Sequence, residues 1–104
     1  MEGLWYTHFT TGQTKGDGLA VLRDGEVLGG DALHVYKGSY QADGSHLYVN
    51  LRVSPHESAE APSDMQHPVN VFLKGSITGD SAMVTGHPDR HDEVKIAVEL
   101  HKAL

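Results

Sequence analysis

Apolar and polar residues alternate between residues 46 and 53, and this alternation predicts a half-buried β-strand. The odd-numbered positions carry Leu or Val, whereas the even-numbered positions carry His, Tyr, Asn and Arg. Upstream, Asp43-Gly44 predicts a two-residue type I′ turn, in which both central positions require positive φ. Together these features predict an antiparallel hairpin between Leu28 and Val53.

The same pattern recurs along the chain and predicts about eight short strands. Besides the two strands of the hairpin, we expect strands at residues 3–10, 19–23, 26–31, 69–78, 81–86 and 93–101. The segment from Ser54 to His67 is the one long connection between them. Strands at this spacing predict an all-β, antiparallel up-and-down barrel with little helix, because closure pairs the two edges that an open meander would expose. A two-sheet sandwich is the alternative that the same pattern permits.

The composition is that of a small globular protein. Its 104 residues are enough for one domain with a single core, which we expect to span residues 1–104. There is no cysteine, which excludes disulfides, thiolate catalysis and cysteine-ligated zinc. Residues 1–5 lack the basic and apolar regions of a signal peptide, and no apolar run is long enough to cross a bilayer. We therefore expect a cytoplasmic protein.

The charge of the chain restricts its partners. Asp and Glu number 14 against 8 Lys and Arg, which gives a formal net charge of −6 with His neutral. Lys15, Lys37 and Lys74 are scattered singly along the chain, so we expect no direct binding to nucleic acid and none to a membrane surface. A basic protein partner would be attracted to such a chain.

Residues with catalytic or metal-binding chemistry form no recognisable motif. The chain has 8 histidines, including His87 and His91 around one Pro-containing segment, with His56, His67 and His101 elsewhere. Zinc sites ordinarily place their ligands at helical spacing or beside cysteines, and these histidines have neither arrangement. The sequence also lacks a Gly-x-Ser-x-Gly motif and a phosphate-binding glycine loop. We therefore expect a protein that is not an enzyme, with no metal or cofactor and with these histidines in solvated loops.

Three aromatic residues are candidates for lining the inside of the barrel. Tyr36 and Tyr40 fall on one face of the fourth strand together with Gly38, so two phenols flank a position without a side chain. They either line a small pocket with hydrogen-bonding tips or fill the lumen, as is common in small barrels. Trp5 is the third candidate, and its alternative role is that of a core aromatic.

Two further aromatics are candidates for an interface. Alternation in the sixth strand places Phe72 on the outer face with Asn70 and Lys74. An outward aromatic at this position, near Tyr48, would form a patch for self-association. A single exposed aromatic is also ordinary on a protein surface.

Short motifs rich in glycine and aromatic residues follow one another over nearly the whole chain. They are Gly3-Leu4-Trp5, Gly29-Gly30-Asp31, Tyr36-Lys37-Gly38-Ser39-Tyr40, Lys74-Gly75 and Gly86-His87-Pro88. In this order and spacing they resemble the GrlR family of small bacterial regulators. The resemblance implies a lipocalin-like eight-stranded barrel, a homodimer, and repression of type III secretion genes through binding of a transcriptional activator. Gly3-x-Trp5 also resembles the opening of lipocalins, in which the Trp plugs one end of the barrel.

The chain departs from this family in one respect. The regulator of enteric pathogens contacts its partner through a surface run of alternating Glu and Asp, which has no equivalent here. The nearest acids, Asp89, Asp92 and Glu93, are interrupted by Arg90 and His91.

Two functions remain open from the sequence. The first is a non-enzymatic, dimeric regulatory barrel that sequesters another protein, such as a transcriptional regulator. The alternative is a cytoplasmic lipocalin-like module that holds a small apolar or lipid-like ligand in its barrel.

Overall fold

The computed structural model describes residues 1–12, 14–55 and 68–104. Their strands are β1 (Gly3–Thr10), β2 (Lys15–Arg23), β3 (Glu26–Asp31), β4 (His34–Asp43), β5 (His46–Pro55), β6 (Val69–Thr78), β7 (Ser81–Pro88) and β8 (Ile96–Lys102). Each strand pairs antiparallel with the next, and β8 pairs with β1, so the sheet is a closed barrel. The predicted eight-stranded all-β barrel is therefore confirmed, and the sandwich is excluded. No helix suited to crossing a membrane occurs in the described residues.

Three strands have the predicted bounds, namely β1, β3 and β6. Strand β2 begins at Lys15 rather than at Leu19, because its glycine-rich first half continues the pairing with β1 although it has no apolar alternation. Strand β8 begins at Ile96 rather than at Glu93, since Val94 N–H donates to the carbonyl of His91 in a turn. Both strands were recognised from the sequence, and only their ends were predicted wrongly.

The hairpin turns differ in type from one another. Between β2 and β3, Asp24 and Gly25 have φ angles of 51° and 80°, as a type I′ turn requires. The predicted type I′ turn at Asp43-Gly44 is wrong by one residue, because Asp43 pairs with His46 and leaves Gly44 and Ser45 at the centre. Of the two central residues, only Gly44 has positive φ, at 61°. This is the pattern of a type II′ turn, which needs glycine only at its first central position.

The core fills the inside of the barrel. The alternating Leu and Val of β5 point inward as predicted, and Leu47 is completely buried. Inward residues from every strand except β4 join it in one cluster, made of Trp5, Ala20, Leu22, Val27, Leu47, Val49, Val53, Val71, Leu73, Ala82, Val84, Ile96 and Leu100. Burying this apolar surface is the main favourable term for folding.

Close approach between neighbouring strands depends on glycine at two inward positions. A Cβ added at Gly38 would overlap the backbone carbonyl oxygen of Asn50 on β5, and one at Gly75 would overlap that of Met83 on β7. The missing side chains let β4 and β6 bend tightly against their neighbours. Glycine here is required by the curvature of the barrel.

We expect the Gly75→Ala variant to unfold with a free energy about 1–3 kcal/mol lower than that of the wild type, because the methyl group forces the β6 and β7 backbones apart. Urea unfolding followed by circular dichroism measures this difference. Gly12→Ala is the matched control, since a Cβ there meets no described atom within 4 Å. Equal stability of the Gly75→Ala and Gly12→Ala variants would contradict the requirement for close strand approach.

Candidate functional site

The barrel interior contains a cavity of about 70 Å³. All eight strands contribute to its wall, which is formed mainly by Leu, Val and Ile side chains, with Phe9, Tyr36 and two threonines among them. Pockets for drug-sized ligands usually measure about 300–1,000 Å³. The lumen is therefore largely filled by the protein's own side chains.

The three lumen candidates have different positions relative to this cavity. Tyr36 lies on the cavity wall. Tyr40 is partly buried and packs against the core cluster, and Gly38 lies between the two tyrosines as expected. Trp5 is 2% exposed and belongs to the core, where its indole Nε1 donates a hydrogen bond of 2.9 Å to the Met1 carbonyl oxygen. Of the three, only Tyr36 is part of the wall.

A buried carboxylate connects Tyr36 to the end of β3. The Asp31 side chain is 4% exposed, and its Oδ1 accepts the backbone N–H groups of Leu33 and His34 at 2.8 Å each. The Tyr36 hydroxyl donates to the other oxygen, Oδ2. These three donors satisfy a charge that would otherwise be costly to bury. They also fix the tight connection from β3 into β4.

The environment of Tyr36 changes its acidity. Burial, followed by the hydrogen bond to the Asp31 carboxylate and its negative charge, raises the pKa of Tyr36 well above the ordinary value of 10.0. The phenol therefore stays neutral and remains a hydrogen-bond donor to Asp31 at any physiological pH.

His34 is next to this group, but its side chain makes no hydrogen bond with any of the described residues. The His34 side chain is fully buried, and its Nδ1 lies 3.5 Å from Asp31 Oδ1 without forming a hydrogen bond. The ring packs edge to face against Phe9, with centroids 6.1 Å apart and an interplanar angle of 82°. Thr7, on the cavity wall, likewise has a buried Oγ1 without a hydrogen-bond partner among the described residues. Sequence reasoning singled out neither Asp31 nor His34, because nothing local marks a polar residue that will be buried.

We expect Tyr36→Phe to lower the free energy of unfolding at neutral pH by about 1.5–3 kcal/mol, the usual contribution of a hydrogen bond to a charged group. The wild type should also lose stability as the pH rises above about 10, by up to about 1.4 kcal/mol per pH unit, because the unfolded chain releases the Tyr36 proton while the folded chain retains it. The Tyr36→Phe variant lacks this ionisable proton. The difference in free energy of unfolding between the wild type and the variant should therefore become smaller as the pH rises.

Urea unfolding at several pH values from neutral to alkaline measures both effects. Tyr48→Phe is the control, because Tyr48 is 48% exposed and its hydroxyl forms no hydrogen bond to another described residue. A difference between wild type and Tyr36→Phe that does not change with pH would contradict the assignment.

On the outer wall, an apolar face covers four adjacent strands, β1 to β4. We define this apolar face by its exposed residues Tyr6, Leu19, Val21, Leu28 and Val35, each between 44% and 59% exposed. Tyr6 lies opposite Leu19, Val21 opposite Leu28, and Gly30 separates Leu19 from Val35. This face was not predicted from the sequence. Its signal was the unbroken run Leu19-Ala20-Val21-Leu22, which supplies apolar residues to both sides of β2.

The predicted interface aromatics lie elsewhere on the wall, on β5 and β6. Tyr48 is 48% exposed and Phe72 is 50% exposed, which agrees with the outward orientation predicted for Phe72. Tyr48 lies opposite Lys74, and Phe72 lies opposite Asn50, so the two rings are diagonal neighbours on adjacent strands. Lys37 of β4 lies opposite Arg52 of β5. We call this surface, with Lys37, Tyr48, Arg52, Phe72 and Lys74, the aromatic-cationic face.

The nearest approach to a catalytic triad is on the surface of β7 and β8. Ser81 Oγ lies 3.3 Å from His101 Nδ1, and His101 Nε2 lies 3.7 Å from Glu99 Oε2. The second distance is too long for the hydrogen bond that orients the histidine of a triad. In this geometry Glu99 does not orient His101 as the acid of a triad does.

Of the histidines considered for a metal site, the three that the structure describes do not converge. His87 and His101 are exposed on β7 and β8, rather than in loops, and His91 is exposed in the turn before β8. His56 and His67 lie outside the described residues. Within residues 1–12, 14–55 and 68–104, no group of three His, Asp or Glu side chains is arranged to hold a metal ion.

Comparison with known proteins leaves the family open. No protein-family model matches the chain, and no curated protein matches it. The resemblance to the GrlR family thus depends on the motifs quoted for it and stays a prediction.

Proposed function

We propose that the protein is a non-enzymatic regulator that acts by binding other proteins through the outer wall of its barrel. The observation that carries this proposal is the apolar face, where five large apolar side chains are exposed on adjacent strands. Contiguous exposed apolar surface of this kind marks interaction sites in stable proteins. The resemblance to the GrlR family adds the partner class, a transcriptional activator that is sequestered so that the genes it controls, such as those for type III secretion, are repressed.

The apolar face is the better candidate for homodimer formation. In a two-fold dimer the same patch of each copy meets itself. Apposing two aromatic-cationic faces would bring Lys37, Arg52 and Lys74 of one copy against the same cations of the other, which is repulsive. Apposing two apolar faces involves one of these cations, Lys37, which lies opposite Leu28 at the edge of the face. It removes Tyr6 and Leu28 from water. We therefore assign self-association to the apolar face, and we assign Tyr48 and Phe72 to contact with another protein.

The second candidate function is the lipocalin-like one, with a small apolar ligand in the lumen. Its support is the Thr7 hydroxyl, buried on the cavity wall without a hydrogen-bond partner among the described residues. A ligand with one polar group would satisfy it. However, the cavity of about 70 Å³ is well below the size of a lipid site, so any ligand larger than a few atoms has to displace core side chains.

We expect the wild type to sediment as a dimer and the Leu28→Glu variant as a monomer, because the variant would bury an unpaired carboxylate in the interface. Phe72→Lys is the matched control on the other face and should remain dimeric. Sedimentation-velocity ultracentrifugation over a range of concentrations measures these masses, with circular dichroism to confirm folding. A dimer that dissociates with Phe72→Lys but not with Leu28→Glu would contradict the assignment of the two faces.

Native mass spectrometry of the protein purified from its source organism distinguishes the two functions. The regulatory function predicts a stoichiometric complex with a DNA-binding protein, identified by peptide sequencing, and no retained small molecule. A small molecule held at one copy per barrel, without a bound protein, would overturn the proposal in favour of the lipocalin-like module. Phe72→Lys should lose the bound protein, since it replaces a central aromatic contact.

A further inference from the structure

We infer that the aromatic-cationic face binds an acidic segment of the partner protein. The inference rests on the proposed function and specifies the chemistry of its partner. It starts from the distribution of charge, since β5, β6 and β7 contain no Asp or Glu, and β4 contains only Asp43 at its end. A chain with a net charge of −6 thus has a broad outer surface without acids.

The cations on this surface have no anionic partner in the part of the chain that the structure describes. Within the described residues, neither Lys37, Arg52 nor Lys74 forms an ion pair, whereas Arg23 pairs with Asp24 at 3.8 Å. Arg52 donates only a long hydrogen bond, 3.5 Å from its Nη1 to Asn70 Oδ1. Its five N–H donors therefore remain largely available to a carboxylate.

The pairing register places two like charges directly across from each other. Lys37 lies opposite Arg52 on the outer face. Like charges at directly paired positions destabilise a sheet. A carboxylate bound between the two side chains would convert this repulsion into attraction. The pair thus favours an anionic ligand at this point on the wall.

Two shallow depressions lie on either side of the Lys37–Arg52 pair. One, of about 290 Å³, extends to Asn50, Asn70 and Phe72. The other, of about 550 Å³, extends to Leu28 and Val35. Each depression combines a cationic edge with apolar side chains. A peptide in extended form can place acidic side chains on Lys37 and Arg52 and an apolar one against Phe72.

An acidic protein segment fits this face better than a second copy or a nucleic acid does. A second copy would bring the same cations together in a two-fold interface. A nucleic acid gains affinity from each neutralised phosphate, and three cations on an acidic protein offer few such contacts. Tyr, Phe and Arg are enriched in protein–protein interfaces, whereas Lys is depleted there. Tyr48, Phe72 and Arg52 match that preference, and the two lysines supply charge for an acidic partner.

Titration of the full-length, isotope-labelled protein with synthetic peptides tests the inference. The probe repeats Glu-Phe-Asp-Ser over about 12 residues, long enough to span the exposed lengths of β5 and β6. The NMR chemical shifts of amides on β4, β5 and β6 should change during the titration. Their dependence on peptide concentration gives the dissociation constant. Arg52→Glu should weaken binding about tenfold or more, a loss of about 1.4 kcal/mol. Lys15→Glu, the same charge change on β2, should alter it less than about twofold.

Four results would overturn the inference. These are no shifts with the acidic peptide, equal weakening by Arg52→Glu and Lys15→Glu, tighter binding of a peptide with Lys at each acidic position, and tighter binding of an oligouridylate of similar length. Its failure is separable from failure of the proposed function. If a native complex with a DNA-binding protein persists in the Arg52→Glu variant, the regulatory function stands. Only the proposed binding of an acidic segment is then contradicted.

Discussion

The pairing of β1 with β8 is the constraint on which the rest of the structure depends. It joins the two ends of the meander in register from Trp5 opposite Lys102 to Thr10 opposite Ala97, and Leu4 extends it with hydrogen bonds to Ala103 and Leu104. Closure leaves no sheet edge to be paired elsewhere. It also assigns every strand residue either to the lumen or to the outer wall. Because eight strands enclose a space that side chains alone can fill, the lumen is nearly full, and chemistry available to partners lies on the wall.

Filling so narrow a barrel requires both small and polar residues at particular positions. Gly38 and Gly75 occupy inward positions where a methyl group would meet the backbone of the next strand. Asp31 takes an inward position at the end of β3, where its carboxylate is satisfied by two backbone N–H groups and by Tyr36. The phenol thus serves the packing of the β3–β4 connection as well as the cavity wall. This dual role explains why one of the candidate lumen tyrosines is held rigidly by a carboxylate.

The outer wall divides into regions of different character, although the chain is acidic as a whole. Among the described residues, the acids lie on β2, β3 and β8, in turns and at Glu2 before β1, and the wall from β4 to β7 is free of them apart from Asp43. At physiological ionic strength charges are screened over about 8 Å. A docked segment therefore responds to Lys37, Arg52 and Lys74 beneath it more than to the net charge. The expectation of a basic partner came from the net charge, which does not reflect the distribution of charge on this face.

The sequence by itself determined the strands and the side of the sheet on which most residues lie. Alternation with a period of two is a local property, so Leu47 could be placed inward and Phe72 outward without knowledge of any partner strand. Prediction from the sequence failed where local signals are weak, as at the glycine-rich start of β2. It also failed where the pairing of Asp43 with His46 shifted a turn by one residue. Only the tertiary structure decided which distant residues meet. Lys37 and Arg52, Tyr6 and Leu19, and Phe9 and the buried His34 are neighbours because of strand register and closure. Register and closure depend on contacts across the whole barrel rather than on any single segment.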